Sequence, residues 1–264
     1  MGRGRYLLTA RCALAALPTL AAQAPARDSL LADGIRLADR EPGEAARRFE
    51  ALAGQDSLDA EARWRAAIAL NDAATLLDPK ADRGRRDSLY ARALKHGRRA
   101  LALDSAGVWP AFALGVVLGN VALTRGLKER VRMAVEIREL ALRAIAADST
   151  HDGAHHLLGR WHAEVRRLSG LKRMVAKSIL GAGAFGKASW AEARAHLERA
   201  VALDPARIFH HLDLGKICLD LGDLACAAAA LRSAGELPAR YAIDPEYQRE
   251  AAGLLARIES GRRD

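Results

Sequence analysis

The sequence predicts an all-α fold, a stack of helical hairpins, and three observations carry that reading. Half of the 264 residues are hydrophobic, yet only 5% are aromatic. Alanine dominates the apolar set, which suits close helix–helix packing better than a pleated sheet. Second, four places share one helix-ending signature: Gln55-Asp56-Ser57, Leu103-Asp104-Ser105, Ala147-Asp148-Ser149 and Leu203-Asp204-Pro205. Third, small and apolar residues recur at fixed offsets on both sides of each ending.

Counting back twelve, eight and five residues from Ser57, Ser105, Ser149 and Pro205 gives Ala45/Phe49/Leu52, Ala93/Gly97/Ala100, Ile137/Ala141/Ala144 and Ala193/Leu197/Ala200. Those offsets share one helical face. Counting forward nine and ten gives Ala66-Ala67, Leu114-Gly115, Leu158-Gly159 and Leu214-Gly215. A large residue followed by a tiny one lets two helices approach closely. Together these are the tetratricopeptide pattern.

The predicted units span about 28–57, 58–105, 106–149, 150–205 and 206–239, within a domain of about 28–260. The last unit pairs Leu214-Gly215 with Ala227, Leu231 and Ala234, and a terminal helix at 244–260 covers its apolar face. The endings lie 48, 44 and 56 residues apart, against about 34 for this repeat. The surplus is expected between the two helices of each unit, at Asp78–Arg86, Thr124–Arg132 and Leu168–Ala188. The fold class is therefore a tetratricopeptide-like helical-hairpin solenoid, an α–α superhelix with long intra-repeat inserts. Isolated units cannot bury their faces, so the stack should fold as one body.

Residues 1–24 contain Arg3, Arg5 and Arg11, no acidic side chain, and an apolar run from Ala13 to Ala24. This pattern predicts a signal peptide and an exported protein, periplasmic or secreted; an organellar presequence is the alternative. Removing it takes the formal charge from +9 to +6, which favours an anionic partner without naming one. Cys218 and Cys226 remain, one on each of two packed helices. They read as plain core, with a disulfide as the alternative in an oxidising compartment.

From Trp109 to about Ile258 the chain resembles the regulator of microtubule dynamics protein family, itself of tetratricopeptide type. The residues that carry the resemblance begin with His156-Leu157-Leu158-Gly159-Arg160-Trp161 and Glu164-Val165. Leu171-Lys172-Arg173-Met174-Val175-Ala176 and Ser189-Trp190-Ala191-Glu192-Ala193 follow, then Ala202-Leu203-Asp204-Pro205. Leu212-Asp213-Leu214-Gly215-Lys216, Leu224-Ala225 and Ala234-Gly235-Glu236-Leu237-Pro238 complete the series. The resemblance implies links to microtubules or membranes in eukaryotic members and no known enzymatic chemistry. Here Gly181–Gly186 replaces the proline-rich loop usual in the family. An exported chain would never meet a microtubule, so that activity is not carried over.

Three motifs suggest other chemistry. Gly181-Ala182-Gly183-Ala184-Phe185-Gly186 spells the dinucleotide fingerprint, but it follows a helical stretch rather than a strand. Ala188 stands where a phosphate-binding loop needs a hydroxyl, so the segment reads as a turn with Ser189 capping the next helix. His151 and His155 are four apart and could share a zinc ion, but no third ligand completes the set. Packing and capping account for them, and no metal or cofactor is expected. The basic stretch with Arg166, Arg167, Lys172, Arg173 and Lys177 alternates with apolar residues. It reads as an ordinary amphipathic helix, with an anionic lipid surface as the alternative.

The first helices of successive units line the concave wall of such a solenoid. The phasing places Trp64, Ile68 and Asn71 there, then Trp109, Phe112, Val116 and Asn120, then His156 and Arg160, then Phe209, Leu212 and Lys216. This describes a groove for an extended peptide or an acyl chain, unless an insert or the terminal helix fills it. No nucleophile elbow or metalloprotease motif occurs. The expected function is a non-enzymatic scaffold for a protein or peptide partner, an anionic one included. Lipid or membrane binding is the alternative, and nucleic acid is not expected.

Overall fold

The computed structural model describes residues 24–168 and 185–261. Within them lie eleven α-helices. The first six are α1 (Ala24–Ala38), α2 (Pro42–Gln55), α3 (Ala60–Thr75), α4 (Arg83–Leu103), α5 (Val108–Leu123) and α6 (Leu127–Ala147). Then come α7 (Asp152–Arg167), α8 (Trp190–Leu203), α9 (Ile208–Asp220), α10 (Leu224–Glu236) and α11 (Asp244–Glu259). No strand occurs among the described residues. The leader-like residues 1–23, and Lys172, Arg173 and Lys177, lie outside them.

Each helix packs on its neighbour in sequence, and α3, α5, α7 and α9 also touch one another side by side. They form an inner layer, and the second helices of the pairs form an outer one. The phased residues are the seam between the layers. Phe49, Ala93, Ala141, Leu197 and Leu231 are all essentially inaccessible. A Cβ built on Gly159 would lie 3.0 Å from Leu197 Cγ and 3.1 Å from the Ala193 carbonyl oxygen. The tiny residue of the pair is thus required by backbone approach, as its spacing implies.

The surplus lies in the first two stretches named for it, but much of it is helix rather than connection. The connections are short, 76–82 and 124–126, and α4 and α6 each run to 21 residues. Arg83, Arg85, Arg86 and Leu127–Arg130 are good helix formers, and these stretches are given tertiary partners. Arg86 Nε donates to the Ala74 carbonyl at 3.1 Å, and Val131 is buried. Polar, basic composition marked a solvated helix extension here, not a loop. In the third insert, Phe185–Lys187 forms a 3-10 turn and Ser189 caps α8; 169–184 lies outside the described residues.

Cys218 and Cys226 form a disulfide, with Cα atoms 5.8 Å apart. This corrects the plain-core expectation. Gly222, at φ 75°, is the middle of the three residues, 221–223, that connect the two helices. The turn brings the two Cα atoms into bonding range.

Candidate functional site

The inner layer encloses a cavity of about 530 Å³. On one side Trp64 stacks on Trp109, with ring centroids 4.9 Å apart. Arg65 lies 4.4 Å over the Trp64 ring, and His151 meets the Trp109 edge at 4.6 Å. On the other side Phe209 lies between His156, at 4.1 Å, and Tyr247, at 4.9 Å. Between them runs an amide line: Asn120 Nδ2 donates to Asn71 Oδ1 at 2.9 Å, and Asn71 Nδ2 donates to Asp72 at 3.1 Å.

The superhelix also closes across this cavity. The Ala242 N–H donates to the Asp39 carbonyl at 2.7 Å, and Arg40 donates to the Ala239 carbonyl at 2.7 Å. The α1–α2 turn thereby meets the α10–α11 connection, 199 residues away. Tyr241 in that connection carries Arg207 at 3.8 Å over its ring. Asp72 borders this space with an accessible side chain, and desolvation by the protein around it raises its carboxyl to about 6. The Asn71 hydrogen bond opposes the rise and is outweighed.

Beneath the wall lies a buried polar network. His210 shares a proton with His156 across 2.9 Å, and its other nitrogen donates to Asp152 at 2.8 Å. Asp213 sits 3.2 Å from His156 Nε2, 3.2 Å from Arg160 Nε and 3.4 Å from Lys216 Nζ. Burial alone would raise the Asp213 carboxyl, but Arg160, His156 and Lys216 hold it well below the usual carboxylate range. Burial likewise pushes the His156 imidazole down to about 4. The network fixes the rings that support Phe209 and Arg160 at the cavity surface.

Ten of the twelve predicted wall residues border the cavity: Trp64, Ile68, Asn71, Trp109, Phe112, Val116, Asn120, His156, Arg160 and Phe209. Leu212 and Lys216 do not. Leu212 is wholly buried against Ile208, Leu231 and Ala251, and Lys216 pairs with Glu250 at 2.7 Å. The reason is that α11 packs on α9 and takes over that end of the wall. Of the basic stretch, Arg166 is exposed, while Arg167 pairs with Asp220 at 2.6 Å and with Glu164 at 2.7 Å. His151 does cap α7, its Nδ1 accepting from the Ala154 N–H at 3.1 Å.

Sequence phasing missed Asp39, Arg207, Tyr241 and Tyr247. The only signal for them was the α11 periodicity Tyr247–Ala251–Leu254–Leu255, which marks a packed face without saying against what.

A sequence model described as "Regulator of microtubule dynamics protein 1-3" matches residues 32–259. The bovine protein named Regulator of microtubule dynamics protein 1 is 30% identical over 217 residues, covering 81% of this chain and 67% of that one. The mouse protein of the same name is 28% identical over 221 residues, covering 81% and 70%. Among solved structures, a thermophilic TPR protein of Thermus thermophilus superimposes with a TM-score of 0.62 at 17% identity, covering 87% of this chain and 99% of that one. Pseudomonas aeruginosa PilF gives 0.53 at 16% identity, covering 91% and 95%. At such identities the two structures show the fold alone.

Proposed function

Because this chain belongs to the regulator of microtubule dynamics protein family and folds as a tetratricopeptide-type solenoid, we propose that it is a non-enzymatic scaffold binding a protein or peptide segment in its cavity. One observation carries the reading. Three large apolar side chains at the cavity, Leu76, Trp109 and Leu123, are 41%, 46% and 51% exposed, and the partly accessible Asn120 amide borders the same space. Apolar anchors with adjacent donors and acceptors are how such sites recognise a segment. Closure between residues 39–40 and 239–242 limits the segment to a short one, because the superhelical groove does not run through. The histidines and carboxylates behind the wall are engaged with one another, a supporting use rather than a reactive one.

The test is to select peptides from a random phage-displayed library on the purified chain and titrate the best of them. Trp109→Ala should weaken binding by about 1–3 kcal/mol, as truncated apolar anchors do, while lowering stability less. Unchanged affinity with a sharply lower melting temperature would make Trp109 internal packing and remove the site. The enclosed, largely apolar lining favours an acyl chain as a second occupant. Solvent extraction of the purified chain that releases stoichiometric lipid would support that occupant over a peptide.

We place the chain in an exported, oxidising compartment, a reading supported by the leader-like residues 1–24 and by the Cys218–Cys226 bond. Sequencing the N-terminus of the mature protein should find a start near residue 22–25. A chain still beginning at its first residues would refute export.

A further inference from the structure

We propose that His162, Glu192 and His196 form a binding site for a zinc-type divalent cation, away from the cavity on the seam between α7 and α8. Their ligand atoms all lie within 4.8 Å of one another. His162 projects from α7, while Glu192 and His196 sit one turn apart on α8, and the two imidazole rings are nearly parallel with centroids 6.0 Å apart.

Hydrogen bonding fixes where the lone pairs point. His155 Nε2 lies 3.1 Å from the Ser149 carbonyl, which only accepts, so that nitrogen carries the proton. His155 Nδ1 is then the acceptor and receives the His196 Nδ1–H at 3.0 Å. His196 Nε2 is therefore left with a lone pair, and it faces the Glu192 carboxylate at 3.8 Å. Two acceptors face each other across that gap with no proton between them. A cation resolves that arrangement, and the His155–Ser149 relay is the supporting partner a metal-bound imidazole requires.

Glu192 is free for this role because of an exchange at the start of α8. Ser189-Trp190-Ala191-Glu192 is a capping-box sequence, and Ser189 Oγ accepts from the Ala191 and Glu192 amides at 3.1 and 3.4 Å. In that motif the glutamate would bond the Ser189 N–H in return. Here His162 Nδ1 takes that N–H at 3.2 Å, and the Glu192 carboxylate turns to His196. Zinc holds imidazole nitrogen and carboxylate oxygen at about 2.0–2.2 Å, so its ligand atoms stand roughly 3–4 Å apart. Rotation of Glu192, an exposed side chain, closes the remaining gap. His162 ligates through Nε2 by moving its proton to Nδ1, which releases the Ser189 N–H to solvent or to Glu192. Imidazole with one carboxylate suits zinc and its neighbours rather than magnesium or calcium.

The experiment titrates Zn²⁺ and Co²⁺ into the untagged, full chain. Zn²⁺ should bind one-to-one and raise the melting temperature, Co²⁺ should give the visible absorption of a four- or five-coordinate site, and the Ser189 amide resonance should move. His155→Phe should weaken Zn²⁺ by about 10- to 100-fold, as loss of a supporting partner does, and His196→Ala by at least as much. Glu192→Gln is the safeguard, since an exposed side chain can be changed without unfolding the seam. A parent that binds no Zn²⁺, or binding that Glu192→Gln and His196→Ala both leave unchanged, overturns the site.

Discussion

Gly159→Trp is expected to abolish the native fold. Gly159 lies where α7 crosses α8, and a single added carbon would already meet Leu197 Cγ at 3.0 Å, His196 Cβ at 3.3 Å and the Ala193 carbonyl oxygen at 3.1 Å. Leucine can rotate away, but a helical carbonyl cannot move without breaking its own hydrogen bond. Adding a methylene or two to a filled core costs about 1–3 kcal/mol, and an indole adds far more than that. The repeat stack transmits the damage, because each unit is stable only against its neighbours. Gly54→Trp is the matched control: nothing lies within 4 Å of a Cβ there, and that variant should keep the parent's circular dichroism. A cooperative, fully helical melt from Gly159→Trp would mean that the α7–α8 crossing is misplaced.

Asp213→Ala should cost the next most, on the order of 3 kcal/mol, the scale for breaking a buried ion pair from one side. The carboxylate is 9% exposed and faces His156, Arg160 and Lys216. Its removal leaves Arg160 without its carboxylate beside the buried His156, while Lys216 keeps Glu250. Arg160 and Lys216 can turn partly to solvent, which keeps the loss below the extreme. The pH dependence follows from the direction of the shift. Asp213 is held below its ordinary range in the folded chain, so its stabilisation is complete above the unfolded carboxylate pKa. It is lost only as pH falls through the lower folded value. The gap between parent and Asp213→Asn in urea unfolding should therefore be equal at pH 5 and pH 8 and shrink in stronger acid. Equal stability of the two at pH 7 would show that the network contributes nothing.

The aromatic residues at the cavity separate two kinds of legibility. Trp64, Trp109, Phe112 and Phe209 were readable because a helix has a fixed angular period, so one offset rule assigns a side to every unit. The same rule failed for Leu212 and Lys216, although they share the phase. Their side of α9 is covered by α11, and no periodicity within α9 records a neighbour from so much later in the chain. The conformation of the inserts was illegible for a related reason. Polar, basic residues are equally at home in a loop and on the solvated face of a lengthened helix, and only the anchoring of Arg86 and Val131 decides between them.

By itself the sequence determined the helical class, the pairing of helices and the face each one buries, because these depend on local propensity and on small residues at fixed spacing. The tertiary structure alone decided what those faces enclose. Closure of the superhelix between Asp39–Arg40 and Ala239–Ala242, the meeting of His155, His162 and His196, and the His156–His210–Asp213 network all join residues dozens to two hundred positions apart. Contacts of that range depend on the accumulated rotation from unit to unit. That rotation is a sum of small packing angles, and no single segment of the chain encodes it.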